Sequence, residues 1–348
     1  MRNMKKTLIS LSVALVVAAC GKEYPTPAPA PPPPPLPPEQ ENPDNGGGEE
    51  EPEIPFKDVV LYGEFEEGFS ETASFLRFAP KASGGEDFRY YSAYPSLSEA
   101  NTKVMMMRID PSDGEGWGKG PQVLTKDYTF YGSYAARMRV PDIRKAQKNI
   151  GAAAGLYVYD VDEKFGQSEI DFELRIADPT IVYLSAWTGT GKDLNRISRT
   201  INLAKGTITD CSYGTGATEK GKLTDDQNNP SKITAISDFD ASKRFYIYGF
   251  DWYPDKITWW IRKDMNTDKV ILWEYKGKEL FTGTSAPAGI PVLPARYTTS
   301  FWHSTTRLAE GMKAAKEAPK YPFEMEIDWM TYEPFDDHIG AWKENGSK

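Results

Sequence analysis

Glu169-Ile170-Asp171-Phe172-Glu173 sets three carboxylates at alternate positions with apolar residues between them. On an extended strand successive side chains point to opposite faces. Glu169, Asp171 and Glu173 therefore share one face, and Ile170, Phe172 and Leu174 the other. Asp and Glu are poor strand formers and like charges in a row repel, so the arrangement calls for a reason. Glycoside hydrolysis supplies one, since two carboxyl groups must flank the scissile bond, ~5–5.5 Å apart when the anomeric configuration is retained. The Cα atoms of Glu169 and Glu173 lie roughly 13 Å apart on an extended strand, so their side chains must lean together over Asp171. Asp171 would hold one glutamate by hydrogen bonding and help the pair take different roles. The alternative is a charged face turned to solvent. Glu324-Met325-Glu326-Ile327-Asp328 alternates in the same way, and periodicity alone does not choose between the two strands.

The elements that must position these residues are strands. Predicted segments are 59–62, 103–107, 134–140, 156–159, 169–174, 181–187, 246–252, 256–261, 270–275, 295–302 and 323–332. All are short, rich in Val, Ile, Tyr and Trp, and punctuated by Gly, Pro, Asn and Asp. Helical periodicity is nearly absent, with residues 308–317 the best short helix. Many strands over ~290 residues without alternating helices predict an all-β fold, a large antiparallel β-sandwich. On the strand after the acidic one, Tyr183, Ser185 and Trp187 share a face opposite Leu184 and Ala186.

Ser168-Glu169-Ile170-Asp171-Phe172-Glu173 resembles the active-site strand of glycoside hydrolase family 16. Further landmarks follow that family's order. Residues 130–138 resemble its strand after a tight glycine, and Tyr248-Gly249-Phe250-Asp251-Trp252-Tyr253-Pro254-Asp255-Lys256-Ile257 resembles its Y-x-F-x-W-x-P-x-x-I segment. Thr298-Thr299-Ser300-Phe301-Trp302 resembles its N-L-W strand, and Glu326-Ile327-Asp328-Trp329-Met330 its last core strand. The resemblance spans about residues 56–335. It implies a concave, concanavalin A-like jelly roll, with Glu169 as nucleophile, Asp171 as assisting carboxylate and Glu173 as general acid/base. No extra residue separates Asp171 from Glu173, which matches the regular-strand branch of mixed-linkage glucanases and xyloglucan endotransglycosylases. The resemblance also implies sugar contacts by Trp187, Trp302, Tyr183, Tyr159 and Tyr157, and by Arg137, which stands where the family has a glycan-contacting Arg. Gln167-Ser168, Ala135 and Ser300 depart from common family residues at their positions.

The rest of the chain gives an address. Arg2, Lys5 and Lys6 precede an apolar run ending Val17-Ala18-Ala19-Cys20, the pattern of a secretory signal over residues 1–19. Its end resembles a bacterial lipobox, in which Cys20 becomes the lipidated N-terminus. Gly21-Lys22-Glu23 looks like a weak surface-export signal of Bacteroidota lipoproteins. Residues 20–55 read as a tether, because residues 25–55 hold 13 of the 27 prolines and residues 39–53 hold seven acids and no base. At ~3.1 Å per residue in polyproline II it reaches up to roughly 90 Å. Residues 56–348 form the predicted catalytic domain, an outer-membrane, surface-exposed monomer held to the membrane only by lipid. With Cys20 lipidated, Cys211 is left as a lone thiol.

The chain carries a net charge of -9, and residues 56–348 hold 37 basic against 42 acidic side chains. A mildly acidic body argues against nucleic acid as the main partner. Two histidines and two cysteines do not build the common structural zinc sites, so no metal or other cofactor is expected; Asp110, Asp113 and Glu115 are the one candidate for a structural Ca²⁺. The glycine-rich run 114–120 lacks the surrounding βαβ unit of a phosphate loop. The partner expected is a β-linked polysaccharide, mixed-linkage β-1,3-1,4-glucan or a related β-glucan, cleaved internally with retention. The alternatives are a xyloglucan-active hydrolase or transglycosylase, and a surface glycan-binding lipoprotein without turnover.

Overall fold

The computed structural model describes residues 61–64, 76–80, 90–99, 102–109, 120–125, 128–147, 150–162, 166–190, 194–216, 218–223, 232–277, 289–303, 320 and 322–335, with the backbone alone for 61–64, 76–80 and 90–95. Cys20, the tether, the Ca²⁺ candidates Asp110, Asp113 and Glu115, run 114–119 and the predicted helix 308–317 lie outside the described residues.

Among the described residues the regular elements are strands. In chain order they are β1 (Leu61–Glu64), β2 (Leu76–Pro80), β3 (Tyr90–Pro95), β4 (Lys103–Ile109), β5 (Pro121–Thr125), β6 (Gly132–Arg139), β7 (Ala152–Asp162), β8 (Gly166–Arg175), β9 (Ile181–Gly189), β10 (Asn195–Asn202), β11 (Thr207–Thr215), β12 (Thr218–Lys222), β13 (Tyr246–Trp252), β14 (Ile257–Arg262), β15 (Val270–Tyr275), β16 (Arg296–His303) and β17 (Phe323–Pro334). They form two antiparallel sheets. The first runs β15-β14-β13-β6-β17-β4-β3, with β1 also on β17. The second, of nine strands, runs β12-β11-β10-β9-β8-β7-β16-β5-β2, which puts the acidic strand β8 at its centre.

The sheets pack face to face because each strand is apolar on one side. Ile170, Phe172 and Leu174 of β8 and Leu184 and Ala186 of β9 enter the same core as Tyr134, Ala136 and Met138 of β6 and Tyr248 of β13. Phe172 meets the Tyr248 ring edge-on at 5.3 Å. Trp259 of β14 reaches across the core, and its indole N–H donates to the Asp171 carbonyl at 2.9 Å. This bond fixes the backbone of β8 midway between Glu169 and Glu173. β8 pairs with β7 and β9 in continuous register from end to end.

β2, β3, β5 and β10–β12 were not among the predicted strands. β10 shows why. Its inward residues are Ile197, Arg199 and Ile201, and an arginine in the middle breaks the apolar alternation. Arg199 is nevertheless fully buried, its guanidinium 4.5 Å over the Trp273 ring and its Nε 3.4 Å from the Cys211 sulfur. Burial lowers the Arg199 pKa and raises that of the Cys211 thiol, although Arg199 pulls the thiol back down. Cys211 is a buried free thiol.

Strand β17 accounts for the second acidic alternation. Glu326 is fully buried and accepts from Arg139 Nε at 2.6 Å, Asp328 accepts from Arg137 at 2.5 Å, and Glu324 lies 3.8 Å from Arg108. The three alternating acids Glu324, Glu326 and Asp328 each have an arginine, so this stretch is a structural ion-pair ladder.

Candidate active site

The antiparallel register lays the outer face of the nine-stranded sheet out in rows. Tyr159 of β7, Glu169 of β8, Trp187 of β9 and Arg196 of β10 are aligned in one row. The next holds Tyr157, Asp171, Ser185 and Ser198, and the third Gly155, Glu173, Tyr183 and Thr200. Neighbouring strands lie ~4.8 Å apart, so each row packs its side chains within contact distance.

Each carboxylate of the trio has its own partner. The Gln167 side-chain amide donates to Glu169 Oε2. Asp171 is only 4 % exposed and accepts from the Ser185 hydroxyl, which in turn accepts from the Trp187 indole N–H at 3.3 Å. Glu173 Oε2 pairs with Arg175 Nη1 at 2.9 Å, and the Arg175 guanidinium lies 4.6 Å over the Tyr183 ring. Three like charges on one strand face are thus separated by donors drawn from three directions.

The walls are aromatic. Tyr157 donates to Gln122 at 3.2 Å and accepts from Ser300, also at 3.2 Å. Burial, with the charge of Glu169 second, pushes the Tyr159 phenol up to about 12, so it remains a neutral hydroxyl at physiological pH. Burial likewise raises Tyr183, against the lowering pull of Arg196 and a hydrogen bond from Ser198. Trp302 of β16 is aligned with Ala153, which is aligned in turn with Arg175. A Cβ on Gly155 would stand 3.5 Å from both Glu173 Cγ and Trp302 Cη2. The bare glycine therefore keeps open the ground between Glu173 and the indole.

The structure brings Glu169, Asp171, Glu173, Trp187, Tyr183, Tyr157, Tyr159 and Trp302 onto this one face. Arg137 is a correction. It sits on β6 in the other sheet, aligned with Ile247 and Trp329. Tyr134, Ala136 and Met138 point into the core, so Arg137 points out on the far side of the sandwich. There it binds Asp328 and Glu99 (2.7 Å) and lies 4.5 Å over Phe245. It does not reach the carboxylates.

Gln167, Arg175, Arg196 and Gln122 were missed as site residues. Arg175 was within reach, because it continues the alternation 169, 171, 173. Arg196 and Gln122 lie on strands whose patterns were not recognised. Among the described residues no cluster of His, Cys, Asp and Glu could hold a metal ion.

A β-sandwich with two glutamates flanking a buried aspartate on a central strand, walled by aromatic rings, is the architecture of a glycoside-cleaving protein. The chain belongs to glycosyl hydrolases family 16, whose model matches residues 86–331. It is 24% identical over 210 residues to a beta-glucanase of Acetivibrio thermocellus, a match that covers 60% of this chain and 45% of that protein, so the chain spans less than half of that relative. Among solved structures it is similar to the Bacillus licheniformis beta-glucanase (16% identity, TM-score 0.44, 79% of this chain and 98% of that one). It is also similar to an endo-beta-1,3-glucanase from Pyrococcus furiosus (16%, TM-score 0.47, 78% and 92%).

Proposed function

We propose that residues 56–348 form a retaining endo-β-glycanase acting on internal β-glucosidic bonds, with mixed-linkage β-glucan or a related β-glucan as substrate. The observation that carries this reading is the row arrangement: Glu169 and Glu173 flank Asp171 on the central strand, and Trp187 and Tyr183 stand beside them in register. In the first step Glu169 attacks the anomeric carbon, forming a glycosyl ester as the glycosidic C–O bond breaks. Glu173 gives its proton to the departing oxygen. Arg175 occupies Glu173 Oε2, which leaves Oε1 to carry that proton. In the second step water attacks the anomeric carbon, Glu173 takes a water proton, and Glu169 leaves as carboxylate. Asp171, held by Ser185 between the two glutamates, helps them take different protonation roles. Trp187, half-buried, offers a ring for a pyranose.

The signal-like residues 1–19, Cys20 and the proline-rich segment support a further part of the proposal, a lipid-anchored enzyme of the outer membrane facing outward. Metabolic labelling with a fatty-acid analogue, compared between the wild type and Cys20→Ala, tests the anchor.

The activity test incubates the full-length protein in detergent with mixed-linkage glucan, laminarin and xyloglucan, beside Glu169→Ala. New reducing ends with wild type only, and β-configured products by NMR at early times, are expected. Binding without products would leave a glycan-capture protein. Redistributed chain lengths on adding short acceptors would make it a transglycosylase.

A further inference from the structure

On the outer face of the nine-stranded sheet, each carboxylate of the catalytic rows and of the adjoining strand β11 already has a donor. Glu169 has Gln167, Asp171 has Ser185, and Glu173 has Arg175. Asp210 of β11 has Lys222 at 2.5 Å and the Ser212 hydroxyl at 3.1 Å. Among the described residues of these catalytic rows, Arg196 is a cation without such a partner. Arg196 makes neither an ion pair nor a hydrogen bond with any described residue, and its Nε is buried without a partner. Its guanidinium lies 5.3 Å from the centre of the Trp187 ring. On its other side Gly214 is aligned with it; a Cβ there would collide with the Thr218 carbonyl oxygen at 2.3 Å and would also come within 3.3 Å of Arg196 Nη2.

A guanidinium carries five N–H donors and holds its charge at any pH the protein meets. Leaving one half-buried on a polar face with only an aromatic contact is unfavourable unless a ligand brings an acceptor. Its position says which part of the ligand that is. Arg196 stands two strands from Glu169 in the same row, roughly 10 Å at Cα. That is about the distance of a sugar next to the one being attacked, and Trp187 lies between.

We propose, building on the glycanase reading above and narrowing its substrate from the neutral mixed-linkage glucan to a related anionic β-glucan, that Arg196 is a specificity-determining residue and that the sugar resting against Trp187 bears an anionic oxygen substituent, a sulfate ester or a uronate carboxylate. Arg196 binds that group through its in-plane donors while Trp187 receives the ring. Both anions present the pair of oxygens that a guanidinium fork matches. The Ser198 and Thr200 positions of the same strand carry hydroxyls and no competing acid.

The test uses full-length Glu169→Gln, which does not turn over, and measures equilibrium binding to three matched polymers: a neutral β-glucan, its partially sulfated derivative and its C6-oxidised uronate derivative. One charge-assisted hydrogen-bonded contact predicts roughly 10-fold or greater preference for an anionic form at low salt, shrinking as salt rises. The sulfated and oxidised arms show which anion is preferred. Adding Arg196→Gln should abolish the preference. Adding Lys222→Gln, whose lysine is already engaged by Asp210, should preserve it. Equal affinity for neutral and anionic polymers, or a preference that survives Arg196→Gln, overturns the proposal, as does equal loss with Lys222→Gln, which would indicate diffuse charge attraction. Reducing-end release by the wild type is scored separately. Cleavage without anion preference sinks the subsite and keeps the glycanase; anion preference without cleavage does the reverse.

Discussion

Two strands of this protein carry alternating acids, and exchanging one glutamate for glutamine on each should give opposite results. Glu326 of β17 is fully buried; it accepts from Arg139 Nε at 2.6 Å, from the Leu97 backbone N–H and from the Ser98 hydroxyl at 3.3 Å. Glu326→Gln turns an acceptor pair into one acceptor and one donor. The amide N–H₂ then meets the Arg139 guanidinium, and a nearly buried cation loses its counter-charge. Breaking one side of a buried pair costs about 3–5 kcal/mol. At about 2–4 °C per kcal/mol for a domain of this order of size, the melting temperature should fall by roughly 6–20 °C. Specific activity of the remaining folded protein at 25 °C should be unchanged, because β17 lies in the sheet that does not carry the carboxylate trio.

Glu169→Gln should do the reverse. Like charges two residues apart on a strand lie ~6.6 Å apart at Cα and repel by about 2.5 kcal/mol at an effective dielectric of ~20. Removing the outer one relieves this and leaves the melting temperature level or higher. Activity should drop on the order of 10⁴-fold or more with loss of the proposed nucleophile. Thermal unfolding by circular dichroism and reducing-end assays on both variants make the comparison. A Glu326→Gln protein that melts like wild type but is inactive would refute the reasoning, as would a Glu169→Gln protein that melts several degrees lower and still turns over.

Arg175→Gln should lower kcat on a polymer by about 10- to 100-fold while an aryl glycoside with a good leaving group loses much less, because only the poor leaving group needs the proton from an oriented Glu173; equal losses on both substrates would mean a structural role. Gly155→Val should place methyl groups against Glu173 Cγ and Trp302 Cη2, each 3.5 Å from the first added carbon, and so raise KM, while the same carbon, 3.2 Å from the Phe172 carbonyl oxygen, lowers the melting temperature; an unchanged KM would show that the space is not used. At high pH the fold should weaken, since burial holds the phenols of Tyr134, Tyr248, Tyr275, Tyr297 and Tyr332 above the ordinary value of 10.0. The sign follows from linkage: above pH 10 the unfolded chain sheds protons that the folded chain retains, so stability is full below 10 and declines above it. The slope is about 1.4 kcal/mol per pH unit for each such tyrosine. Urea midpoints measured from pH 8 to 11.5 check this, and a flat profile would count against the buried phenols.

Parity along a strand is a local property, and the sequence by itself determined it. That Glu169, Asp171 and Glu173 share one face and Ile170, Phe172 and Leu174 the other, and that Tyr183, Ser185 and Trp187 share a face opposite Leu184 and Ala186, all follow from a period of two. The all-β class followed from short β-branched and aromatic runs between turn residues. What only the tertiary structure decided is which sheet and which neighbour each strand acquires. Arg137 was expected to contact the glycan from the resemblance, yet β6 belongs to the opposite sheet, and its outward face there is the far side of that sheet. Glu326 and Glu169 have the same local pattern and differ in that β17 meets arginines from β4 and β6 while β8 sits between the aromatic strands β7 and β9. Arg199 turned inward because Trp273 and Cys211 accept a guanidinium in the core, contacts made across 74 and 12 residues of chain. Trp302 reaches the face through a long-range pairing, aligned with Ala153, whereas Arg196 does so through the adjacent β9–β10 hairpin. A residue's own neighbours in sequence set which way it points; pairing between distant strands sets what it points at.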